Sequence, residues 1–332
     1  MTDSKPPFTI PTVAEINELP WNGLNVVSTF SGAGGSCLGY RMAGYRVLWA
    51  NEFVPEAKRT YRANKHPNYG VLDGRDIKEV QASEILDSTG LSIGELDLYD
   101  GSPPCQAFSS AGRRESGWGT NKHYEHGAEQ KNEELFGEYI RLLQGLKPRV
   151  FVAENVTGLA RGKAAGFFND ILAELRGSGY VVECRQLDAQ YLGVPQQRNR
   201  LVFVGCRDDL QVAPAFPSPL PYTYSVNDAC PHITKTLYRT GGFWPRKSFA
   251  YTPAPAILAG SKNQYFDLSS GDAVPLATAD CQRICSFPPD FVFTGTRADA
   301  WNRLGNSVPP VMMAHIAATI RDNIFNGGRH NG

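Results

Sequence analysis

The chain has 332 residues, of which 42% are hydrophobic and 20% charged, and its 33 basic and 33 acidic side chains cancel to a net charge of zero. That length admits one large domain and a smaller one, and that composition excludes disordered, fibrous and disulfide-stapled classes. No run of about 18 apolar residues offers a membrane span, and the opening MTDSKPPFTIPTVAEINELP lacks the basic-then-apolar order of a secretory leader, so an intracellular, cytoplasmic protein is expected.

In chain order, residues 1–22 hold several prolines and read as an arm. NVVSTF (25–30) reads as a buried strand followed by a glycine loop and a helix. VLWA (47–50) is a second strand, and PEAKRTYRANK (55–65) a helix with proline in its first turn. ELDLYD (95–100) is a further strand, and Leu135, Phe136, Tyr139, Ile140, Leu143 and Leu146 recur at helical spacing over 133–146. RVFVAE (149–154), YVVECRQL (180–187) and RLVFVG (200–205) are strands, with a helix near 166–176. Strands alternating with helices imply an α/β fold with a doubly wound, mostly parallel, Rossmann-like sheet. After Gly205 prolines and aromatics replace the periodicity, as in a small loop-rich domain, and SVPPVMMAHIAATIRDNIF (307–325) returns to a helix. The boundaries read as an arm at 1–22, a catalytic and cofactor domain at 23–205, a recognition domain at 206–262, a hinge and connecting segment at 263–302 and a C-terminal helix at 303–327.

Seven cysteines, Cys37, Cys105, Cys184, Cys206, Cys230, Cys281 and Cys285, are spread without a C-x-x-C pair, so neither a disulfide framework nor a metal site is expected. Neutral net charge argues only weakly against a nucleic-acid partner, because local distribution decides. Between 206 and 265, Arg207, Lys235, Arg239, Arg246, Lys247 and Lys262 outnumber Asp208, Asp209 and Asp228.

Four motifs carry chemistry. Phe30-Ser31-Gly32-Ala33-Gly34-Gly35 lies between a strand and a helix, where glycines let backbone approach a ligand. The nicotinamide fingerprint fails there, since Cys37 stands where its third glycine belongs. Glu52 ends the next strand, where an acid commonly holds ribose hydroxyls, and Asp76 could end a third. Taken alone these features suit a nucleoside cofactor or a plain glycine turn with a surface acid. Gly101-Ser102-Pro103-Pro104-Cys105-Gln106 puts a thiol on a stiff loop past a strand, and a thiol is intrinsically nucleophilic even with only a small thiolate fraction. Ala153-Glu154-Asn155-Val156 ends a strand, and in Gln196-Gln197-Arg198-Asn199-Arg200 alternation sets Arg198 and Arg200 on one face. Two arginines entering an apolar strand are costly unless they meet an anion or an acceptor.

These residues closely resemble those of the C5-cytosine DNA methyltransferases of the compact bacterial or phage type. FSGAGG is similar to their cofactor motif, PPCQAFS (103–109) to their nucleophile motif, ENV (154–156) and QQRNR (196–200) to their base-binding motifs and RLGNSVPP (303–310) to their C-terminal cofactor motif, in the same order from Asn25 to the last helix. The resemblance implies methyl transfer from S-adenosyl-L-methionine, leaving S-adenosyl-L-homocysteine, to carbon 5 of a cytosine flipped out of double-stranded DNA. It implies that Cys105 adds to carbon 6, that Glu154 holds N3 and the exocyclic amine, that Arg200 binds O2, that Arg198 supports the nucleophile loop, and that Gln106 belongs to the catalytic set. Phe30, Ser31, Gly32, Gly34, Gly35, Glu52, Phe53, Asp76, Ile77, Pro104, Asn306 and Ser307 would enclose the cofactor. Residues 108–132, rich in glycine, would be a mobile catalytic loop with Ser109 and Arg113 toward DNA. Arg239, Thr240, Gly241, Gly242, Arg246 and Lys247 are the candidates for groove or phosphate contacts in a short recognition site. A monomer is expected, with a separately acting restriction endonuclease left open as companion.

The sequence departs from the family in a somewhat long catalytic loop, a short recognition region, and Asp100, which stands where an uncharged residue is usual. Rival readings are a tRNA methyltransferase on the same fold, disfavoured by the lack of a Cys-Phe-Thr tripeptide, a catalytically silent DNA-binding module, and, distantly, a nicotinamide dehydrogenase.

Overall fold

The computed structural model describes residues 5–104, 122–123, 129–130, 132–240, 246–260 and 264–327. The strand–helix alternation builds a sheet of β1 (Asn25–Thr29), β2 (Arg46–Asn51), β3 (Val71–Asp73), β4 (Leu98–Gly101), β5 (Val150–Val156), β6 (Tyr180–Asp188) and β7 (Asn199–Arg207), in the order β3-β2-β1-β4-β5-β7-β6. β7 is antiparallel to both β5 and β6, and the remaining neighbours are parallel. The reversal has a local cause. The link from β6 to β7 holds a single 3-10 turn at Ala189–Leu192, too short for the crossover helix a parallel neighbour needs. Strand order reverses between β1 and β4, which opens a crevice at their carboxyl ends.

The helices are α1 (Val13–Asn17), α2 (Gly35–Met42), α3 (Pro55–Asn64), α4 (Ala82–Thr89), α5 (Asn132–Leu146), α6 (Ala165–Gly177), α7 (Val226–Ala229), α8 (Thr278–Ile284), α9 (Arg297–Asn306) and α10 (Pro310–Ile320). Period-2 alternation divides each central strand between two cores. Val26, Leu98, Val150, Val152, Val202 and Val204 face α2 and α10. Val27, Tyr99, Phe151, Ala153, Leu201 and Phe203 face α4, α5 and α6. α10 is apolar nearly all round because it is enclosed: Met312, Met313, Ile316, Ala317 and Ile320 are fully buried. It crosses α2 at Gly39, where an added Cβ would stand 2.5 Å from Pro310 O and 2.6 Å from Met313 Cβ.

The strand expected at 95–100 begins only at Leu98, because Asp97 brackets its neighbours instead. Its carboxylate accepts from Asn25 N at 2.9 Å and pairs with Arg149 Nη1 at 2.9 Å. The arm contains α1, capped reciprocally by Thr12 and Glu15, and its Ile16 is buried. Thr12-x-x-Glu15 is a local signal that the lack of periodicity had hidden.

A second, antiparallel sheet is formed by β8 (Thr236–Thr240), β9 (Arg246–Phe249), β10 (Gln264–Asp267) and β11 (Val274–Pro275), in the order β9-β8-β10-β11. β10, β11 and α8 lie in 263–302, where the sequence suggested only a hinge. Two- and four-residue strands are too short to show a period; β10 is fixed by pairing to β8, and β11 by pairing to β10. A third core joins Ile233, Leu237, Ala250, Ile257, Tyr265, Leu276 and Phe287 to Leu38 of α2 and Ile16 of α1.

Candidate active site and cofactor cleft

The turn after β1 is held in a backbone region that side chains rarely adopt. Phe30, Gly32 and Gly34 have φ of 53°, 56° and 94°, a concentration of left-handed conformations typical of ligand-binding turns. Glu52, just past β2, fastens it: its carboxylate accepts from Gly32 N at 2.8 Å and Val54 N at 2.7 Å. The acid is 8% exposed. Burial raises its pKa, against the two backbone bonds and the nearby Arg303 charge, which favour the anion. The C-terminal segment closes on the same turn, since a Cβ on Gly35 would lie 2.2 Å from Val308 O. Ser307 Oγ donates to Arg303 O at 2.5 Å, while Asn306 is exposed.

Asp76 does not end β3, which stops at Asp73. It caps the 3-10 turn Ile77–Glu79, accepting from Lys78 N at 3.1 Å. Ile77 is 2% exposed and packs in the core under α5, its carbonyl accepting from Arg141 Nη2 at 3.0 Å. Phe53 is half-buried beside Glu52. The residues fit an adenosyl cofactor at the switch point, and an orphaned atom supports the fit. Arg303 Nη1 is buried with no hydrogen-bond partner among the described residues, close enough to Glu52 to influence it.

β4 leads into Pro103 and Pro104 beside β5, with Gly101 opposite Ala153. Asn155 Nδ2 donates to Pro103 O at 3.1 Å and so ties the ENV strand to the proline turn. This positioning role was not read from the sequence, where Asn155 stood only as part of a motif. On the same strand Glu154 Oε1 lies 2.5 Å from Arg200 Nε, with side chains 10% and 16% exposed. The contact is an ion pair outside directed hydrogen-bond geometry, for that oxygen has no hydrogen-bond partner among the described residues.

Arg198 is 1% exposed and donates to Ile257 O at 3.1 Å and Gly305 O at 3.0 Å. It therefore pins the start of β7 to the smaller sheet's flank and to α9. Burial depresses its pKa to about 9, the Arg200 charge adds to the fall, and its Nε has no partner among the described residues. Gln196, also absent from the expected site, is fully buried and accepts from Ile257 N at 3.1 Å. In the sequence Gln196 is only a flanking residue of the QQRNR motif, and the fold shows what it spans.

Cys105, Gln106, Ser109, Arg113, Gly241 and Gly242 lie outside the described residues, as do the side chains of Thr240 and Arg246. The stretch expected as a catalytic loop pairs Lys122–His123 with Glu129–Gln130 before α5 begins at Asn132. Arg239, expected at a groove, is 8% exposed on β8, where the register sets it opposite Tyr265 of β10. Lys247 is exposed, and so are Phe249 (67%) and Tyr251 (72%) nearby. No helix among the described residues is long and apolar enough to cross a membrane.

A doubly wound sheet with an antiparallel seventh strand, a glycine turn closed by an acid, and a buried Glu–Arg pair beside a proline turn define a nucleotide-cofactor enzyme of the α/β class. The profile of the family "C-5 cytosine-specific DNA methylase" matches residues 24–239 and 223–322. The chain belongs to that family, and it is a DNA (cytosine-5-)-methyltransferase. It is 26% identical to the Type II methyltransferase M.NgoPII of Neisseria gonorrhoeae, over 92% of this chain and 97% of that one. To M.PspPI of a Psychrobacter species it is 31% identical, over 91% and 80%. A solved structure of a Spodoptera frugiperda DNMT2 variant shares the fold at a TM-score of 0.65 and 15% identity, covering 89% of this chain and 99% of that one.

Proposed function

We propose that Cys105 is the nucleophile, that Glu154 and Arg200 receive the flipped cytosine, and that the turn from Phe30 to Gly35 with Glu52, Phe53, Asn306 and Ser307 holds S-adenosyl-L-methionine. The Glu154–Arg200 pair carries this reading: an acceptor and a donor, both nearly buried, stand beside the turn that ends in Pro104. A carboxyl group that shares a proton with N3 and accepts from the exocyclic amine, with a guanidinium donating to O2, matches the polar edge of cytosine. Cys105 then bonds to carbon 6, and the electron pair of the 5,6 double bond moves to carbon 5. The cofactor supplies the electrophilic methyl group. Loss of the carbon 5 proton and of the sulfur–carbon bond restores the aromatic ring.

The cofactor-facing domain in this reading is 23–205 completed by α10, and recognition lies with the smaller sheet. Lys247 and Lys235, both exposed, are placed to meet phosphates, with Phe249 and Tyr251 beside Lys247. Type II relatives support a restriction-modification setting. In this reading the DNA site is short, the endonuclease acts separately and the methyltransferase acts as a cytoplasmic monomer. The test is transfer of labelled methyl groups to duplex DNA, followed by sequencing of the modified sites. Cys105→Ser is expected to abolish transfer; full activity in that variant, or transfer to tRNA and not DNA, would sink the reading.

A further inference from the structure

Asp100 takes no part in the chemistry above, yet at 1% exposed it is the most buried acid among the described residues. It lies on β4, just ahead of the proline turn. Its Oδ2 accepts from Ser28 Oγ at 2.8 Å and its Oδ1 from Tyr40 OH at 3.1 Å. Ser31 Oγ, within the glycine turn, is 3.1 Å from Ser28 Oγ. Hydroxyls thus link this carboxyl to the glycine turn, while its own strand leads into the turn at Pro103 and Pro104.

The titratable groups facing it are Cys37 and Tyr40 from α2, Tyr61 from α3, Tyr99 on β4, Tyr139 from α5 and Glu154 from β5. None is a cation. A buried carboxylate without a counter-charge is strongly disfavoured, so such a group keeps its proton until a positive charge arrives. The methyl donor carries a sulfonium, and its product is a neutral thioether. In every other respect the two ligands are alike.

We propose that Asp100 is a specificity-determining residue that makes the pocket prefer the sulfonium cofactor over its thioether product. The inference rests on the cofactor reading given above. Asp100 gives up its proton to solvent when the sulfonium is bound, and takes one back once methyl transfer has removed that charge. Burial lifts its pKa to about 7, against the Ser28 and Tyr40 bonds and with the help of the Glu154 charge. The exchange therefore falls at neutral pH.

Titration calorimetry at pH 7, in buffers of different ionisation enthalpy, tests this with S-adenosylmethionine and S-adenosylhomocysteine as probes. The wild-type protein is expected to release protons with the first and not with the second. Its preference for the first should grow about fivefold or more as pH rises through 7. Asp100→Asn, close in shape, should remove both the release and the pH dependence. Tyr40→Phe, which deletes a donor to the carboxylate, should move the dependence to higher pH. Equal proton release with both ligands, or an unchanged preference in Asp100→Asn, overturns the proposal. Failure of either ligand to bind wild-type protein overturns the cofactor reading itself.

Discussion

Glu154 and Arg200 form an ion pair at 2.5 Å across neighbouring antiparallel strands, on the diagonal of a register that sets Glu154 opposite Val202 and Arg200 opposite Val156. The register fixes both side chains from the backbone, so little reorganisation is needed when a base replaces solvent beside them. Glu154→Gln keeps the shape and removes the charge. It is expected to lower kcat by about 10²–10³ while cofactor affinity, measured by titration, is unchanged. Arg200→Ala should also lower stability by about 1–3 kcal/mol, because it strands a nearly buried carboxylate. A Glu154→Gln enzyme with wild-type kcat would remove this pair from the chemistry.

Arg198 divides its guanidinium between carbonyls from two distant segments. Arg198→Met matches the length but leaves Ile257 O and Gly305 O without this donor. Its stability should drop by about 2–4 kcal/mol, read as an earlier denaturation midpoint. Arg198→Lys, which can satisfy only one carbonyl, should fall between the two. Equal stability of all three would show that the pin carries no strain between the sheets.

Much of this was legible because it is local. Valine runs, the proline-led helix α3 and the spacing from Leu135 to Leu146 report burial on one or two faces, and those faces exist in the sequence as periods. Glu154, Arg200 and the glycine turn were legible through their motifs. Asn155 and Gln196 were not, because their partners, Pro103 and Ile257, are far along the chain and only sheet pairing brings them near. Arg239 shows the same limit: its sequence neighbours are polar and aromatic, and its burial on β8 depends on a fold that brings distant Tyr265 opposite it.

The glycine turn makes two separable demands. Gly32→Ala meets nothing within 4 Å, so only its left-handed φ of 56° opposes the change, at about 1 kcal/mol. Gly35→Ala has an ordinary φ but sets a Cβ 2.2 Å from the Val308 carbonyl, backbone that cannot rotate away. It should cost about 1–3 kcal/mol and weaken cofactor binding, because the segment carrying Asn306 and Ser307 must shift. Comparing the two by thermal denaturation and cofactor titration checks the assignment. A larger loss of affinity in Gly32→Ala than in Gly35→Ala would place the closing contact elsewhere.

Asp100 makes stability depend on pH in a direction opposite to that of a salt-bridged acid. Folded, it holds its proton up to about 7, whereas the ordinary value is 3.8. The folded state therefore binds more protons between those limits, and stability falls as pH rises through them, the loss being complete above about 7. Asp100→Asn cannot ionise. Near pH 4 it should match the wild type, and at pH 8 it should be the more stable protein, by roughly 1–4 kcal/mol. Glu52, whose pKa is also raised by burial, titrates in both proteins and cancels from the difference. Denaturant titrations at the two pH values measure the effect. A variant that is less stable than wild type at pH 8 would mean that the charged carboxylate has a partner the hydroxyls of Ser28 and Tyr40 do not account for.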